Sequence, residues 1–469
     1  MTETGKTMVL GGGLAGLAAG CTLARAGAPV TVVERDSVVG GLSRTVQHDG
    51  YRFDLGGHRF FSTDETIDQF VSDLMAGELV RVERSSKILL RDCYFDYPLK
   101  PANALFGLGV GTSIRILADY GAEKVRGLAS RGDSVSLEDW VVRNFGRTMF
   151  DIYFKVYSEK VWGIPCDRIS AEWVDRRISG LSLATTIRNA LFRMGGRKLP
   201  TLVDEFLYPR LGIGRIADRL QEEVCRTGEV LLGTCVKSIR HDNRNIETVT
   251  VETDGRTRVL GAEQFIASIP LTHLVRMLSP EPPAAVRAAA SLLRYRDLVV
   301  VAVMVDRHRV TDQTWIYIPE ERIPFGRIHE PTNWSPDMAP SGKTLVVAEY
   351  FSFQDDAVWR KADDELIGLT AENLQRLGFL KKSEVLGGSV VRVPKAYPLF
   401  EVGYREKCNE IYAWLAKFCN LHLTGRTGMF RYYNMDHALA SGIRTAERVV
   451  AEAVPRPGEC EDRRRALTA

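Results

Sequence analysis

The sequence has little excess charge of either sign: 62 lysines and arginines stand against 59 aspartates and glutamates in 469 residues, a net charge of +3. A balance this close to neutral argues against nucleic acid or an anionic membrane surface as the main partner. No apolar run approaches the roughly 18–20 residues that cross a bilayer, so no membrane span is expected. The N-terminus also lacks a charged segment followed by a cleavage site, because glycines interrupt its apolar stretch. We therefore expect a cytoplasmic protein.

Cysteine and histidine patterns are equally sparse. The eight cysteines are scattered, and none stands in a C-x-x-C pair or at the spacing of a zinc site. Thiols distributed in this way indicate a reduced compartment rather than a disulfide framework. The histidines show no ligand spacing either, so we predict no metal site.

A strand, a glycine-rich turn, a helix and a second strand follow one another near the N-terminus. Gly11, Gly13 and Gly16 form a G-x-G-x-x-G pattern after apolar residues 8–10, and the second strand ends at Glu34. The first glycine of this motif makes a tight turn, the second lets the backbone approach a pyrophosphate, and the third lets the helix pack on the strand. The helix N-terminus offers N–H groups to phosphates, and an acid placed like Glu34 accepts hydrogen bonds from ribose hydroxyls. This stretch predicts a dinucleotide-binding Rossmann unit.

Further glycine-rich segments favour FAD over NAD. VGGLSRT at 39–45 is of the kind that wraps the pyrophosphate in large flavoproteins, and NAD domains have no reason to carry it. YRFDLGGH at 51–58 is a strand ending in a glycine pair, which permits close backbone approach to a planar ring. GRTG at 425–428 precedes a helical run whose N-terminus suits a flavin carbonyl or pyrophosphate. A cofactor contacted by segments so far apart is long, and we predict FAD.

The chain is longer than one hydrophobic core usually supports, so interleaved subdomains are expected. The predicted fold class is α/β: a Rossmann-type, GR2-like FAD-binding domain with a helical insertion domain and a β-sheet substrate domain. The predicted boundaries are 1–90, 205–275 and 415–455 for the discontinuous FAD-binding domain, 91–204 for the mainly helical insertion, 276–414 for the β-rich substrate domain and 456–469 for a disordered tail.

Six segments carry a resemblance to a known family. They are FDLGGHRFFS (53–62), FDYPLKPANAL (95–105), LEDWVVRNFGRTMFDIYFKVYSEKVWGIP (137–165), TWIYIPEERIPFGRI (314–328), AYPLFEVGY (396–404) and GRTGMFRYYNMDHA (425–438). In this order and spacing they resemble the amine-oxidase and protoporphyrinogen-oxidase-like flavoprotein superfamily. Within it they are similar to the UDP-galactopyranose mutases, especially those of the long eukaryotic type.

The resemblance implies which residues contact FAD. In the mutases the segment corresponding to 53–62 places a glycine carbonyl and a histidine beside flavin N5, and Gly57 and His58 match these. We expect His58 to tune N5 and not to act as a general base, although a lone histidine after two glycines is more often structural. His437 would cap the last helix or flank the flavin, and Val236 would lie under the adenine. The predicted cofactor-binding set is Gly11, Gly13, Leu14, Ala15, Gly16, Glu34, Arg35, Gly41, Leu42, Ser43, Gly56, Gly57, His58, Val236, Gly425, Arg426, Met435, Asp436, His437 and Ala438.

A diphosphate site is implied as well. Arg327 follows Pro-Phe-Gly in an aromatic and apolar segment, and a planar guanidinium suits bidentate binding of phosphate oxygens. From the residues alone, a solvated arginine and ordinary tyrosine packing are the simpler interpretations, and only the resemblance favours a diphosphate site. Arg327 joins Gly57 and His58 as the predicted catalytic residues. Arg210 is the candidate for a second diphosphate arginine. The predicted substrate-binding set is Tyr97, Arg210, Tyr317, Arg327, Tyr397, Arg426 and Tyr432.

Two classes of function remain, with a catalytically altered mutase relative that acts on another nucleotide sugar as a third alternative. In the first, the protein is an isomerase that interconverts pyranose and furanose forms of a UDP-galactose-like nucleotide sugar, with N5 of reduced FAD attacking the anomeric carbon. In the second, it is an FAD-dependent oxidoreductase or desaturase of the protoporphyrinogen-oxidase or amine-oxidase type. A cavity guanidinium favours the first class, because an apolar substrate has no need for it. Amine oxidases also usually need a lysine near N5, which the sequence does not locate.

Several properties stay open at this level. Residues 181–205 match the mutase pattern poorly, which leaves the nucleotide base and the sugar undetermined. NADPH as the reductant would have to share the substrate cleft, because the sequence contains no second dinucleotide fingerprint. An oligomer is compatible with the sequence but not specified by it.

Overall fold

A computed structural model describes residues 5–97, 109–129, 134–172 and 205–452. Three predicted features lie wholly or mostly outside these ranges. They are residues 98–105 of the mutase-like segment 95–105, most of the poorly matching stretch at 181–205, and the predicted tail at 456–469. The strands are β1 (Thr7–Leu10), β2 (Val30–Val33), β3 (Thr45–His48), β4 (Tyr51–Asp54), β5 (Leu79–Glu83), β6 (Ser86–Leu90), β7 (Cys93–Asp96), β8 (Glu205–Pro209), β9 (Glu229–Leu231), β10 (Thr234–His241), β11 (Ile246–Thr253), β12 (Arg256–Gly261), β13 (Gln264–Ala267), β14 (Leu278–Ser279), β15 (Tyr295–Val305), β16 (Trp315–Tyr317), β17 (Arg327–His329), β18 (Thr344–Ser352), β19 (Val385–Pro398) and β20 (Leu421–Leu423). The α-helices are α1 (Leu14–Arg25), α2 (Glu65–Met75), α3 (Val110–Ala129), α4 (Leu137–Phe145), α5 (Arg147–Met149), α6 (Val156–Trp162), α7 (Arg215–Val224), α8 (Leu271–Met277), α9 (Ala284–Leu292), α10 (Ala357–Arg360), α11 (Asp363–Arg376), α12 (Tyr404–Leu415) and α13 (Met435–Glu452).

A five-stranded parallel sheet forms the centre of the predicted FAD-binding domain. Its order is β20-β13-β1-β2-β9, so strands from widely separated parts of the chain lie side by side. Every residue of β1 and β2 is buried, as expected for parallel strands covered on both faces. Helix α1 packs against α13, where a Cβ on Gly442 would stand 2.1 Å from the Ala15 carbonyl oxygen. A glycine at 442 therefore lets the two helix backbones come together.

A seven-stranded, mostly antiparallel sheet forms the second layer, in the order β19-β15-β18-β17-β16-β6-β7. Strands β15 to β19 of this sheet come from residues 276–414, the range predicted for the β-rich substrate domain. All eleven residues of β15 are buried, because β18 and β19 flank the strand and each of its two faces packs in a hydrophobic cluster, Val301 in one and Val300 in the other. Strands β6 and β7 also join this sheet, which places them with the predicted substrate domain although residue 90 was the predicted boundary. The domain boundaries themselves remain predictions.

Apart from β7, the described part of the predicted insertion is mainly helical, from α3 to α6, with a π-helical stretch at Phe150–Lys155. Ser136 begins α4 with a capping box, in which its side chain and that of Asp139 each bind the other residue's backbone N–H. The buried Arg296 of β15 joins α6 to the sheet: its Nε donates to the Val161 carbonyl at 3.0 Å and its Nη2 to the Phe351 carbonyl at 2.8 Å. Across the described ranges, none of the helices combines the length and apolarity that crossing a membrane requires.

Candidate active site

A cavity of about 1260 Å³ is lined by residues of both sheets and of the loops between them. We call the part around the glycine turn after β1 the dinucleotide region, and the part around the arginines at 59, 327 and 426 the arginine region. Most residues predicted from the sequence line this cavity. They are Gly11, Gly13, Leu14, Ala15, Glu34, Arg35, Gly41, Leu42, Ser43, Gly57, His58, Tyr97, Val236, Tyr317, Arg327, Tyr397, Gly425, Arg426, Tyr432, Met435, Asp436, His437 and Ala438.

The glycine turn has the geometry that a bound pyrophosphate needs. Gly11 has φ +106°, and a Cβ on Gly16 would lie 1.9 Å from the Gly11 carbonyl oxygen, so neither position tolerates a side chain. Gly13 differs, because a Cβ there would meet no protein atom within 4 Å and would project into open space. Helix α1 starts directly after it without a side-chain cap, so its first N–H groups are available to an anion. The turn therefore fits the diphosphate of FAD.

Glu34 stands at the end of β2, beside this turn. Its Oε2 accepts a hydrogen bond from the Gly12 N–H at 2.7 Å, and its Oε1 accepts one from the Asp36 N–H at 2.9 Å. Burial raises the pKa of Glu34, and these backbone hydrogen bonds oppose that rise. The carboxylate is thus held in place at the cavity wall, where its remaining lone pairs suit ribose hydroxyls.

The second glycine pair packs on the first turn. The Gly40 N–H donates to the Gly12 carbonyl at 2.8 Å, and a Cβ on Gly41 would stand 3.3 Å from the Gly13 Cα. Both glycines have positive φ values, +100° at Gly40 and +55° at Gly41. Two backbone turns from different segments therefore approach each other closely, which brings Leu42 and Ser43 to the cavity wall.

Register in the antiparallel sheet creates the arginine region. Tyr317 of β16 lies opposite Arg327 of β17, and Arg327 lies opposite Glu349 of β18. Directly opposed residues point to the same face of a sheet, so these three side chains form a row. The neighbouring row on that face contains Trp315 and His329. The sequence placed Arg327 and Tyr317 at the site, whereas Glu349 was missed.

Glu349 is the partner of Arg327. The Arg327 Nε donates to Glu349 Oε1 at 2.7 Å and Nη2 donates to Oε2 at 2.5 Å, and the carboxylate is fully buried. The Gly57 N–H also donates to Oε1, at 3.1 Å. A lone acid inside the apolar run Leu345–Phe351 is the sequence signal that could have identified it, since buried charges are seldom unpaired.

His58 follows the Gly56-Gly57 pair and lines the cavity next to this row. Burial lowers its pKa to about 4, and the nearby Arg327 and Arg426 charges act in the same direction. Its Nδ1 is buried and has no hydrogen-bond partner. The imidazole is therefore neutral near pH 7, and a pKa this low also makes it a weak base; its role beside N5 stays a prediction.

Arg426 lies between two tyrosine rings. Its Cζ is 4.6 Å from the centre of the Tyr397 ring and 4.9 Å from that of Tyr432. The Nη1 donates to the Tyr433 carbonyl at 3.4 Å, whereas Nε and Nη2 are buried without a hydrogen-bond partner. Leaving such donors unsatisfied is costly, so they indicate that a ligand supplies the acceptors.

Arg59 is a site residue that the sequence analysis missed. Its Cζ stands 4.5 Å from the centre of the Trp315 ring, and its side chain lines the cavity. Burial lowers the pKa of this guanidinium, and within the described ranges no carboxylate forms an ion pair with it. The sequence signal that could have identified Arg59 is its position directly after His58, in the segment 53–62 predicted to contact the flavin.

The start of α13 lines the cavity with the predicted residues Met435, Asp436, His437 and Ala438. His437 Nδ1 lies 3.0 Å from Asp436 Oδ1, and this hydrogen bond raises the pKa of His437. The His437 ring also stacks on Tyr433 at an interplanar angle of 18°. The helix N-terminus is therefore directed at the cavity with its first turn already structured.

Three predicted residues do not line the cavity. Arg210 is corrected: its side chain is 60% exposed and stands 4.0 Å from Asp337, away from the lining residues. The segment resemblance was weakest there, and Arg59 supplies a guanidinium to the cavity instead. Gly16 and Gly56 lie behind the residues that line the cavity. Gly16 lets the Gly11 backbone approach, and Gly56 lets the Glu349 side chain approach.

The sequence located no lysine near N5 and predicted no metal site. Lys395 is the lysine among the described lining residues, and its Nζ lies 4.5 Å from the centre of the Tyr295 ring. Burial and the charges of Arg276 and Arg35 lower its pKa, while Asp297 opposes this. Over the described ranges, no group of three or more His, Cys, Asp or Glu residues is arranged to hold a metal ion.

Comparison with known proteins gives several full-length similarities. Coproporphyrinogen III oxidase of Bacillus subtilis is 21% identical over 463 residues, covering 89% of this chain and 92% of that protein. Protoporphyrinogen oxidase 1 of Spinacia oleracea chloroplasts is 22% identical over 435 residues, covering 85% of this chain and 75% of that protein. Among solved structures, reduced UDP-galactopyranose mutase aligns with a TM-score of 0.83 and 23% identity, covering 98% of both chains. At this identity, the last likeness shows the fold alone.

The family profile described as Flavin containing amine oxidoreductase matches residues 14–450. The predicted fold class and the predicted superfamily are thereby confirmed. Porphyrinogen oxidases and desaturases are among the relatives found by sequence, whereas the mutase is a structural neighbour whose likeness concerns the fold. None of these comparisons supports NADPH as a reductant. The match covers most of the chain, and the protein therefore belongs to the flavin-containing amine oxidoreductase family, which implies FAD as its cofactor.

Proposed function

We propose that the protein is an FAD-dependent nucleotide-sugar mutase, active with reduced FAD, that interconverts the pyranose and furanose forms of a UDP-galactose-like sugar. The observation that carries the proposal is the charge of the arginine region. Arg59, Arg327 and Arg426 contribute three positive charges there, and Glu349 neutralises one of them. The two remaining charges equal the two negative charges on the diphosphate of a nucleoside-diphosphate sugar.

The side chains of the arginine region would hold the diphosphate before and after it leaves the sugar. Among the described residues, Arg426 has no acceptor for its buried Nε and Nη2, and Arg59 forms no ion pair with a carboxylate, so both guanidiniums are available to phosphate oxygens. Guanidinium groups bind phosphate oxygens through parallel hydrogen bonds. Retaining the diphosphate in the cavity favours its return to the same sugar, because the reaction remains intramolecular.

FAD, when bound in its reduced form, supplies the nucleophile for this chemistry at N5. The glycine turn and the start of α1 would hold its diphosphate, and Glu34 its ribose. Burial raises the pKa of Tyr397, so its hydroxyl stays protonated and can donate to the substrate. His58 is neutral near pH 7, so it adds no charge to the arginine region.

An amine substrate fits this cavity poorly. Tyr397 and Tyr432 are the rings that could surround a substrate cation, but the Arg426 guanidinium already lies between them. A cationic substrate would also be repelled by the two uncompensated arginine charges.

A porphyrinogen oxidase is the second candidate, favoured by the full-length similarity to the enzymes of Bacillus subtilis and Spinacia oleracea. Propionate groups of a porphyrinogen could also bind to guanidiniums. The two candidates differ in oxygen use, because a mutase consumes none and an oxidase consumes it steadily. This difference makes them separable in one experiment.

The test is to reduce the FAD-loaded protein anaerobically and to incubate it with UDP-galactopyranose, UDP-galactofuranose and a panel of other nucleotide sugars. Chromatography separates the products, with oxidised protein as the control. Interconversion by the reduced protein alone, lost in Arg426→Met, is expected. Absence of interconversion together with steady oxygen uptake on coproporphyrinogen would overturn the proposal and support the oxidase.

A further inference from the structure

We infer that Glu349 is a positioning residue, which fixes the Arg327 guanidinium and the Gly57–His58 backbone relative to each other and sets the net charge beside the cofactor. The inference rests in part on the proposed function, because Arg327 is there assigned to the diphosphate. It concerns a side chain that does not itself line the cavity but touches two elements that do.

The contact to Arg327 determines which part of the guanidinium can meet a ligand. Glu349 accepts from Nε and Nη2, at 2.7 and 2.5 Å, and this paired geometry fixes the plane of the group. The Nη1 group takes no part in the pair. Since β17 and β18 place the two residues directly opposite each other, the sheet itself holds this orientation.

Glu349 also contacts the loop at residues 56–58, which we call the glycine loop and which is predicted to contact the flavin. Oε1 accepts the Gly57 N–H at 3.1 Å in addition to its bond from Arg327. Gly56 has φ +119°, and a Cβ there would stand 3.2 Å from Oε2. The loop therefore rests directly on the carboxylate, and a side chain at 56 would separate them.

The charge of Glu349 is maintained in spite of its burial. Burial alone would raise the pKa of this carboxyl, but the Arg327 charge and the hydrogen bonds hold it well below the usual range. His329 lies close by, with its Nδ1 3.6 Å from Oε1, and burial lowers the pKa of that histidine. The carboxylate and Arg327 thus form a neutral pair, while His329 remains uncharged.

Loss of the Glu349 charge and loss of the Arg327 charge should then shift the flavin midpoint potential in opposite directions. Without the Glu349 charge, Arg327 would be an uncompensated cation, which favours the more electron-rich reduced flavin. Without Arg327, the carboxylate would be an uncompensated anion and would favour the oxidised flavin. A carboxylate that served only to stabilise the fold would not produce this reversal.

Glu330 provides a matched control. It is also fully buried and lies in the same part of the chain, one residue beyond β17. Its carboxylate accepts from the Val310 N–H at 2.9 Å, the Thr311 N–H at 2.7 Å and the Thr344 hydroxyl at 2.7 Å. It touches neither the arginine region nor the glycine loop, so it reports on burial of a carboxylate alone.

The experiment measures the flavin midpoint potential and the UDP affinity of the FAD-loaded protein and its variants. E349Q is expected to shift the ratio of reduced to oxidised flavin about tenfold toward the reduced form, about 30 mV for a two-electron couple. E349D keeps the charge but has one methylene less, so the potential should stay near that of the unaltered protein while UDP binds about tenfold more weakly. E330Q should change neither.

A potential in E349Q equal to that in E330Q would overturn the inference. Should E349Q fail to fold, R327M must lower the potential and E349D must still weaken UDP binding; failure of both would be equally decisive. The potentials require no nucleotide sugar, so they test Glu349 even if the mutase proposal fails. Equal UDP affinity of E349D and the unaltered protein would remove the positioning role while leaving the proposed function intact.

Discussion

The dinucleotide region and the arginine region of the cavity are built by different means. In the first, the groups offered to a ligand belong to the backbone: the Gly11–Gly16 turn, the glycine pair at 40 and 41 and the starts of α1 and α13. In the second, they come from side chains that meet only because β16, β17 and β18 pair in one register. A short motif specifies the backbone region, whereas the side-chain region depends on the whole sheet.

The difference teaches where each region is vulnerable. A backbone site fails when any atom is added, because there is no side chain to move aside. A side-chain site fails when charge is lost, because its affinity comes from the charged groups. The paired strands keep their geometry when one of these side chains is substituted. The three predictions below use this contrast, beginning with the change expected to have the largest effect.

Gly16→Ala should abolish FAD binding. The new Cβ would lie 1.9 Å from the Gly11 carbonyl oxygen, a backbone atom that can move only if the turn opens. Overpacking of this kind costs about 1–3 kcal/mol or more. The measurement is the ratio of flavin to protein after purification.

Two glycine controls sharpen this result. Gly13→Ala meets no protein atom, so it should leave the thermal stability of the flavin-free protein unchanged while weakening FAD binding. Gly368→Ala, in an open position within α11, should bind FAD normally and gain up to about 1 kcal/mol in unfolding free energy. Normal flavin content in Gly16→Ala would show that the turn is not the cofactor site.

Arg59→Met should weaken UDP binding about 10- to 100-fold while FAD stays bound. A charged hydrogen bond contributes about 1.5–3 kcal/mol, and the methionine keeps the contact with the Trp315 ring. Titration calorimetry with UDP measures the change. Arg276→Met is the control, since Arg276 lines the dinucleotide region and should alter UDP affinity less than twofold. Equal losses in the two variants would mean that net charge alone attracts the nucleotide.

His58 should make stability depend on pH, with the smallest effect of the three. Its folded pKa, about 4, lies below the value of about 6.5 for an unfolded histidine, so the unfolded state binds more protons between these limits. Stability contributed by neutral His58 is present above pH 6.5 and is lost as pH falls toward 4. Between pH 7 and 5 the loss is about 1–2 kcal/mol.

Urea unfolding of the flavin-loaded protein at several pH values checks this slope. His58→Gln should reduce the slope by the contribution of one histidine, whereas His48→Gln should leave it unchanged, because His48 is an exposed histidine of β3. Part of the slope remains in His58→Gln, because burial also lowers the pKa of His273 to about 4. A slope in His58→Gln equal to that of the unaltered protein would show that His58 does not contribute.

Much of the dinucleotide region could be predicted from the sequence because its chemistry is local. Three glycines at fixed spacing imply a turn, and the following apolar period implies the helix that ends it. The loop at residues 56–58 could likewise be predicted, and Arg327 was predicted because the segment 314–328 resembles one of the mutases. The sequence did not reveal that Arg327 faces an acid, since Glu349 is 22 residues away and only strand pairing brings the two together.

Arg210 and Arg59 show the same limit from two sides. Arg210 was assigned by linear resemblance in a stretch where the match was poor, and its side chain turned out to lie among exposed charges. Arg59 was within a quoted motif, yet nothing local indicates that a tryptophan from position 315 would lie beneath it. Contacts between distant segments depend on three-dimensional packing, which neither periodicity nor motif spacing encodes.

The central sheet has a consequence for the order of events during synthesis. β1 and α1 emerge first from the ribosome, but their neighbours β20 and α13 are separated from them by about 400 residues. At about 5–20 residues per second, more than about 20 s pass before α13 can cover α1. During that interval the small-residue face of α1 around Ala15 is uncovered, and the cofactor site lacks one wall. Flavin capture is thus expected to be a post-translational event, and the nascent chain to be a client of chaperones.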